Sequence, residues 1–287
     1  MRRIPHLLAG LILTVAATLS FTVSPPALAD DDDDDYVPGE VLVQLAGAGD
    51  LSGVAGTHGL DPQPISQFGQ RAIYRMRIID QVSPETKVDQ LQADGRVLRA
   101  DPNYVGQTPE GGSQSSWAVG GDEGGYRTQW APEKMRLPQA HGANARGAGV
   151  TVAVLDTGVD PSHPALAGRL VPGRDFVDFD DDPREVGTAR QDIGFGHGTH
   201  VAGLVALAAP EAKIMPLRVL DPAGRGNLWV LAEALEYAID PDGRPETADG
   251  AQVINLSISF RREPDLLEDL LEDATCAEGE AESGSLC

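Results

Sequence analysis

The chain's 287 residues suffice for one large α/β domain or two smaller ones. A hydrophobic content of 41% supplies a core and excludes disorder of the whole chain. The 22 basic side chains are outnumbered by 44 acidic ones, a formal net charge of -22, which repels phosphate backbones and anionic lipid and so excludes nucleic acid and membrane surfaces as partners of the mature chain.

Residues 1–29 read as a secretory signal peptide: Arg2 and Arg3 precede an apolar stretch from Leu7 to Val23, and Ala27, Leu28 and Ala29 form a small-x-small cleavage site. The apolar run falls short of the ~20 residues a membrane span needs, and Pro25 and Pro26 follow it. Secretion is therefore the expected fate, with the paired arginines hinting at twin-arginine export. Asp30 to Asp35 repel one another and read as an acidic tail, residues 30–35.

Residues 36–106 read as a small α+β domain. Glu40 to Leu45 and Ala72 to Ile79 alternate like strands, Lys87 to Leu91 is helix-like, and Val97 and Leu98 start a further apolar run. The opening VPGEVLVQL and the closing ADPNYV resemble the ends of the subtilisin propeptide. Residues 107–126, rich in Gly, Ser and acidic side chains, read as a cleavable linker. Trp130 to Arg146 then reads as a helical lead-in to a third region, residues 127–287.

Val150 to Leu155 is a β-branched apolar run of the kind that forms a buried parallel strand, and it ends in Asp156, Thr157 and Gly158. A carboxylate at the C-terminal end of such a strand sits where open α/β sheets place their sites. By itself it is equally a turn residue or helix cap. The DTG triplet also fits an aspartic peptidase, but that mechanism needs a second DTG or DSG, which the sequence lacks. Downstream, GHGTHVAG (Gly196 to Gly203) opens a small-residue helix with His197 at its start.

Together VAVLDTGVD and HGTHVAG resemble the aspartate and histidine blocks of the subtilisin family of serine peptidases, in that family's order. The resemblance implies His197 as general base and Asp156 as the residue that orients its imidazole. A competing reading makes His197 and His200 zinc ligands one helical turn apart, although no HExxH motif is present. By the family pattern His200, like His163 in its DPSHPAL turn, is structural.

Lys213 to Leu220 reads as another parallel strand, and a helix is expected from about Asn227 to Ile239. Between them, Gly224, Arg225 and Gly226 match the family segment that pairs with extended peptide substrates; an ordinary strand-to-helix loop is the alternative. Ala251 to Ser259 resembles the block lining the family's first specificity pocket, which assigns Ser257, Ile258 and Ser259 to substrate binding. Ile258 and Ser259 replace the usual leucine and glycine. Asp175 to Asp182 gathers carboxylates in a loop and raises structural calcium beside a plain solvated loop; no cofactor is required, and no catalytic metal is expected. Cys276 and Cys287 either pair with each other or one bonds a residue outside this sequence.

The family's nucleophilic serine block, GTSMA-like, is absent from the sequence, as is the asparagine that helps bind the oxyanion. Ser283 and Ser285 lie in a polar tail and are poor substitutes. The expectation is thus a parallel-sheet α/β subtilisin-like catalytic domain, incomplete, preceded by an α+β propeptide that acts as its own intramolecular inhibitor. The partner is a peptide or protein substrate, and the chain alone is expected to be inactive. A noncatalytic peptide-binding or inhibitory protein is the alternative.

Overall fold

The computed structural model describes residues 35–109, 125–126, 128–244 and 247–274. The signal-peptide region, the acidic run before Asp35, most of the linker and both cysteines fall outside the described residues. The N-terminal part contains β1 (Tyr36–Leu45), α1 (Leu51–His58), β2 (Ser66–Gln67), β3 (Ile73–Arg77), α2 (Pro84–Gln92) and β4 (Val97–Gln107). There follow α3 (Trp130–Lys134), α4 (Leu137–Gly142), β5 (Thr151–Asp156), β6 (Arg174–Asp175), α5 (His197–Ala208), β7 (Lys213–Arg218), β8 (Arg225–Asn227), α6 (Leu228–Ile239), β9 (Val253–Leu256) and α7 (Asp265–Ala274).

The period-two pattern of β1 decides what each of its faces buries. Val41, Val43 and Leu45 enter a core with Val54, Tyr74, Met76, Val88 and Leu91, beneath α1 and α2. Leu42 points the other way and joins a second core containing Phe68, Trp229 and Leu235. Helix α2 starts three residues before the helix-like stretch read from the sequence, because Ser83 Oγ accepts the Thr86 N–H at 3.3 Å and Pro84 takes the first helical position. The expected lead-in over Trp130 to Arg146 is two short helices, separated where Arg136 adopts a left-handed φ of 59°.

The second sheet is parallel, in the order β6-β7-β5-β9. Helix α5 covers one face, placing Ala202 and Ala206 against Val152, Val154 and Ile214; its small side chains let it lie close to the strands. Helix α6 covers the other face, with Leu228, Leu231 and Leu235 among Ala153, Leu155, Met215 and Leu217. The chain leaves β5 for the edge strand β6, returns through α5 to β7 and then passes over β5 through α6 to β9. The two helices fall on opposite faces, and the carboxyl end of β5, from which later strands lie in both directions, is the switch point where such sheets hold their ligands.

Strand β4 belongs to both halves. Its first part pairs antiparallel with β1, and Val105, Gly106 and Gln107 pair with β8, giving the order β2-β3-β1-β4-β8. It also caps two helices. Asn103 Oδ1 accepts the Trp229 N–H at 3.1 Å near the start of α6, and the Asp101 carboxylate accepts the N–H groups of Asp265 and Leu266 at 3.3 and 2.9 Å at the start of α7. Both acceptors meet the positive end of a helix dipole. Arg99 adds an ion pair with Asp269. No helix among the described residues is long and apolar enough to cross a membrane.

Candidate active site

Asp156 ends β5 and His197 begins α5, and the fold brings their side chains together. His197 Nδ1 lies 2.6 Å from Asp156 Oδ1, with the two side chains only 3% and 1% exposed. Asp156 Oδ1 also accepts the Thr157 N–H at 2.7 Å, whereas Oδ2 is buried and takes no hydrogen bond among the described residues. Close approach depends on Gly198: a Cβ there would overlap the Gly158 carbonyl oxygen and stand 3.2 Å from the Asp156 Cβ. With the carboxylate ionised, Nδ1 is the donor, which fixes the tautomer and leaves Nε2 as the atom able to take a proton from a hydroxyl.

Glu185 binds the segments around both Asp156 and His197 from outside, a role the sequence did not disclose. Its carboxylate accepts the Thr157 hydroxyl at 2.8 Å, the Thr199 hydroxyl at 2.7 Å and the Gly196 N–H at 3.0 Å. Thr157 Oγ1 in turn accepts the Gly198 N–H at 3.0 Å. These bonds join the residue after Asp156 to those flanking His197. Burial pushes the Glu185 carboxyl above its usual range, against the pull of the two hydroxyls. Nothing in the spacing of PREVGTARQ identifies Glu185, because its partners come from two other segments.

Most of the residues assigned to substrate binding are paired with the end of β4. Gly106 sits opposite Gly226 and Gln107 opposite Arg225. Gln107 exchanges two backbone hydrogen bonds with Ser259, at 3.0 and 2.8 Å, and the Thr108 N–H donates to the Gly224 carbonyl at 2.9 Å. Ile258 packs over Gly106. Ser257 takes no part in this backbone ladder; its hydroxyl accepts the Asn255 side-chain amide at 2.9 Å. The paired segments adjoin His197, since the Gly194 N–H donates to the Pro222 carbonyl and the Gly194 carbonyl accepts from the His197 N–H.

The acidic loop raised as a calcium site is organised otherwise. Asp175 and Asp178 each lie 2.5 Å from the buried Arg218 guanidinium, and Asp180 Oδ1 accepts the Asp182 N–H. Among the described residues, the carboxylates close enough to share an ion are Asp240, Asp242 and Asp249, within 4.8 Å. Their oxygens already accept from the Arg244 N–H and the Thr247 hydroxyl. His163 Nδ1 accepts the Ala165 N–H at the start of a 3-10 turn. The His200 N–H donates to the Gly196 carbonyl.

Fold and geometry together define the class: a parallel α/β sheet covered on both faces, with a buried carboxylate–imidazole pair at its switch point. Residues 147–287 match the sequence model of the subtilase family. Thermitase of Thermoactinomyces vulgaris is 40% identical over 140 residues, covering 45% of this chain and 44% of thermitase. The thermophilic serine proteinase of Bacillus sp. strain AK1 is 30% identical over 240 residues, covering 78% and 52%. A solved structure, fervidolysin from Fervidobacterium pennivorans, described as a keratinolytic enzyme related to subtilisin, superposes with a TM-score of 0.59 over 84% of this chain and 38% of its own, at 22% identity. The region from residue 147 onward belongs to the subtilase family, and its fold is subtilisin-like. The chain spans about half the length of the curated relatives it matches.

Proposed function

We propose that the chain carries the acid–base half of a secreted serine endopeptidase, with His197 as general base, Asp156 as its orienting carboxylate, residues 1–29 as signal peptide and residues 36–106 as inhibitory propeptide. Support comes from the 2.6 Å hydrogen bond between His197 and Asp156 and from the antiparallel pairing of residues 105–107 with β8, which we read as a groove able to take an extended peptide. In the reaction, Nε2 takes the proton of a serine hydroxyl as its oxygen attacks the scissile carbonyl, and returns it to the leaving amine when the peptide bond breaks. Asp156 stabilises the imidazolium between these steps. The 287 residues contain no match to the family's nucleophile block, and the reaction needs a serine hydroxyl supplied to Nε2.

The 287-residue chain should neither hydrolyse a peptide nor react with a serine-directed fluorophosphonate. Extended with the nucleophile-bearing part of thermitase, it should do both, and His197→Ala or Asp156→Ala should abolish labelling. Labelling of the unextended chain that survives both substitutions would refute this assignment.

A second reading, a noncatalytic peptide-binding or inhibitory protein, is favoured by the occupation of the groove by residues 105–108. It predicts that the full chain inhibits added thermitase.

A further inference from the structure

The way the end of β4 lies in the groove says what the groove accepts. Gln107 is exposed and Val105 half-buried, whereas Gly106 and Thr108 are buried, the alternation expected of a strand. A Cβ on Gly106 would stand 2.8 Å from both Cδ1 and Cγ1 of Ile258 and 2.9 Å from Cε1 of Phe260. These distances lie inside van der Waals contact. Gly106 is not among the residues with positive φ, so its backbone suits any amino acid, and space rather than torsion demands glycine. Making room means shifting both half-buried side chains. Both pack against the core that holds Leu228, Trp229 and Leu266.

The position two residues on is shaped differently. Thr108 is 2% exposed, and its Cγ2 and Oγ1 would each lie 3.1 Å from a Cβ on Gly224. That left-handed glycine makes room for one short side chain. Gln107, between them, is exposed and bound through its backbone.

We propose that Ile258 and Phe260, together with Gly224, make the peptide groove selective for extended segments with glycine opposite Gly226, any residue next, and a short side chain such as threonine after it. The selectivity rests on reading residues 224–226 and 257–259 as the walls of a peptide-binding groove.

Hydrogen–deuterium exchange of the full chain tests it. In the unsubstituted chain the amides of Gln107, Thr108 and Ser259 should be protected, as should those of β1. Gly106→Ala should speed exchange at those three groove amides by roughly tenfold to hundredfold, the scale of an overpacked contact, and leave the β1 amides unchanged. The same Gly106→Ala in an Ile258→Ala, Phe260→Ala background should restore protection. Gln107→Ala should have no effect. Groove amides equally slow with and without Gly106→Ala, or no recovery in the enlarged background, would overturn the selectivity while leaving the groove intact. Free exchange at all three amides in the unsubstituted chain would overturn the groove reading and the selectivity together.

Discussion

Two buried carboxylates end the strands on either side of β7 in one row of the parallel sheet, and they are neutralised in opposite ways. Arg218 is the register partner of Asp156 on one side and of Asp175 on the other. It turns to Asp175, and to Asp178 beyond it. Burial opposes the guanidinium charge, but the two carboxylates outweigh it and raise the arginine's proton affinity, so this site carries fixed charges that cancel. Asp156 is left to an imidazole instead, with one oxygen unpartnered among the described residues. A guanidinium makes a permanent structural pair, whereas an imidazole makes a pair whose charge changes with each proton it accepts. The fold places an inert site and a reactive one side by side by choosing which partner each carboxylate receives.

Breaking the inert side should have the largest effect. Arg218→Met strands Asp175 in the core without a counter-charge and should cost about 3–5 kcal/mol in urea denaturation. Adding Asp175→Asn should recover most of the loss, because Asp178 is exposed enough to be solvated. If the single substitution were nearly neutral, the two sites would not differ as described.

The reactive side should tolerate change better. Asp156→Asn should cost about 1–3 kcal/mol, the range for disturbing one buried hydrogen bond, yet it should remove the far-downfield proton resonance expected for a His197 Nδ1–H bonded to a carboxylate at 2.6 Å. Persistence of that resonance in the variant would show that Asp156 is not the imidazole's partner.

The smallest effect concerns Glu185. Because burial raises its proton affinity in the folded chain, the stability it contributes is complete below the unfolded carboxylate range, about pH 4, and declines as pH rises through the folded value. The stability of the native chain relative to Glu185→Gln should therefore fall between about pH 4 and neutrality. A difference that stays flat, or grows with pH, would mean that the hydroxyls of Thr157 and Thr199 outweigh desolvation.

How much of this was legible follows from how local each signal is. The strand ending at Asp156 and the helix starting at His197 are short contiguous patterns, and the elements they predict fall within a residue or two of those observed. The alternation in EVLVQL likewise marked β1. Helix α1 went unread because LSGVAGTH has two glycines and buries only Val54 and Ala55. Glu185, Arg218 and the capping roles of Asp101 and Asn103 were equally hidden, since each acts on a partner from a distant segment.

The sequence alone thus determined the local elements, the two motifs and the order in which they occur, because side-chain periodicity, chain stiffness and glycine placement act over a few neighbouring residues. Tertiary structure decided that the end of β4 lies between β8 and Ser259, that Arg218 answers Asp175 rather than Asp156, and that Glu185 ties the two motifs together. Those outcomes depend on which backbones come within hydrogen-bonding reach and which charges are buried together, and both are set by the packing of the whole chain.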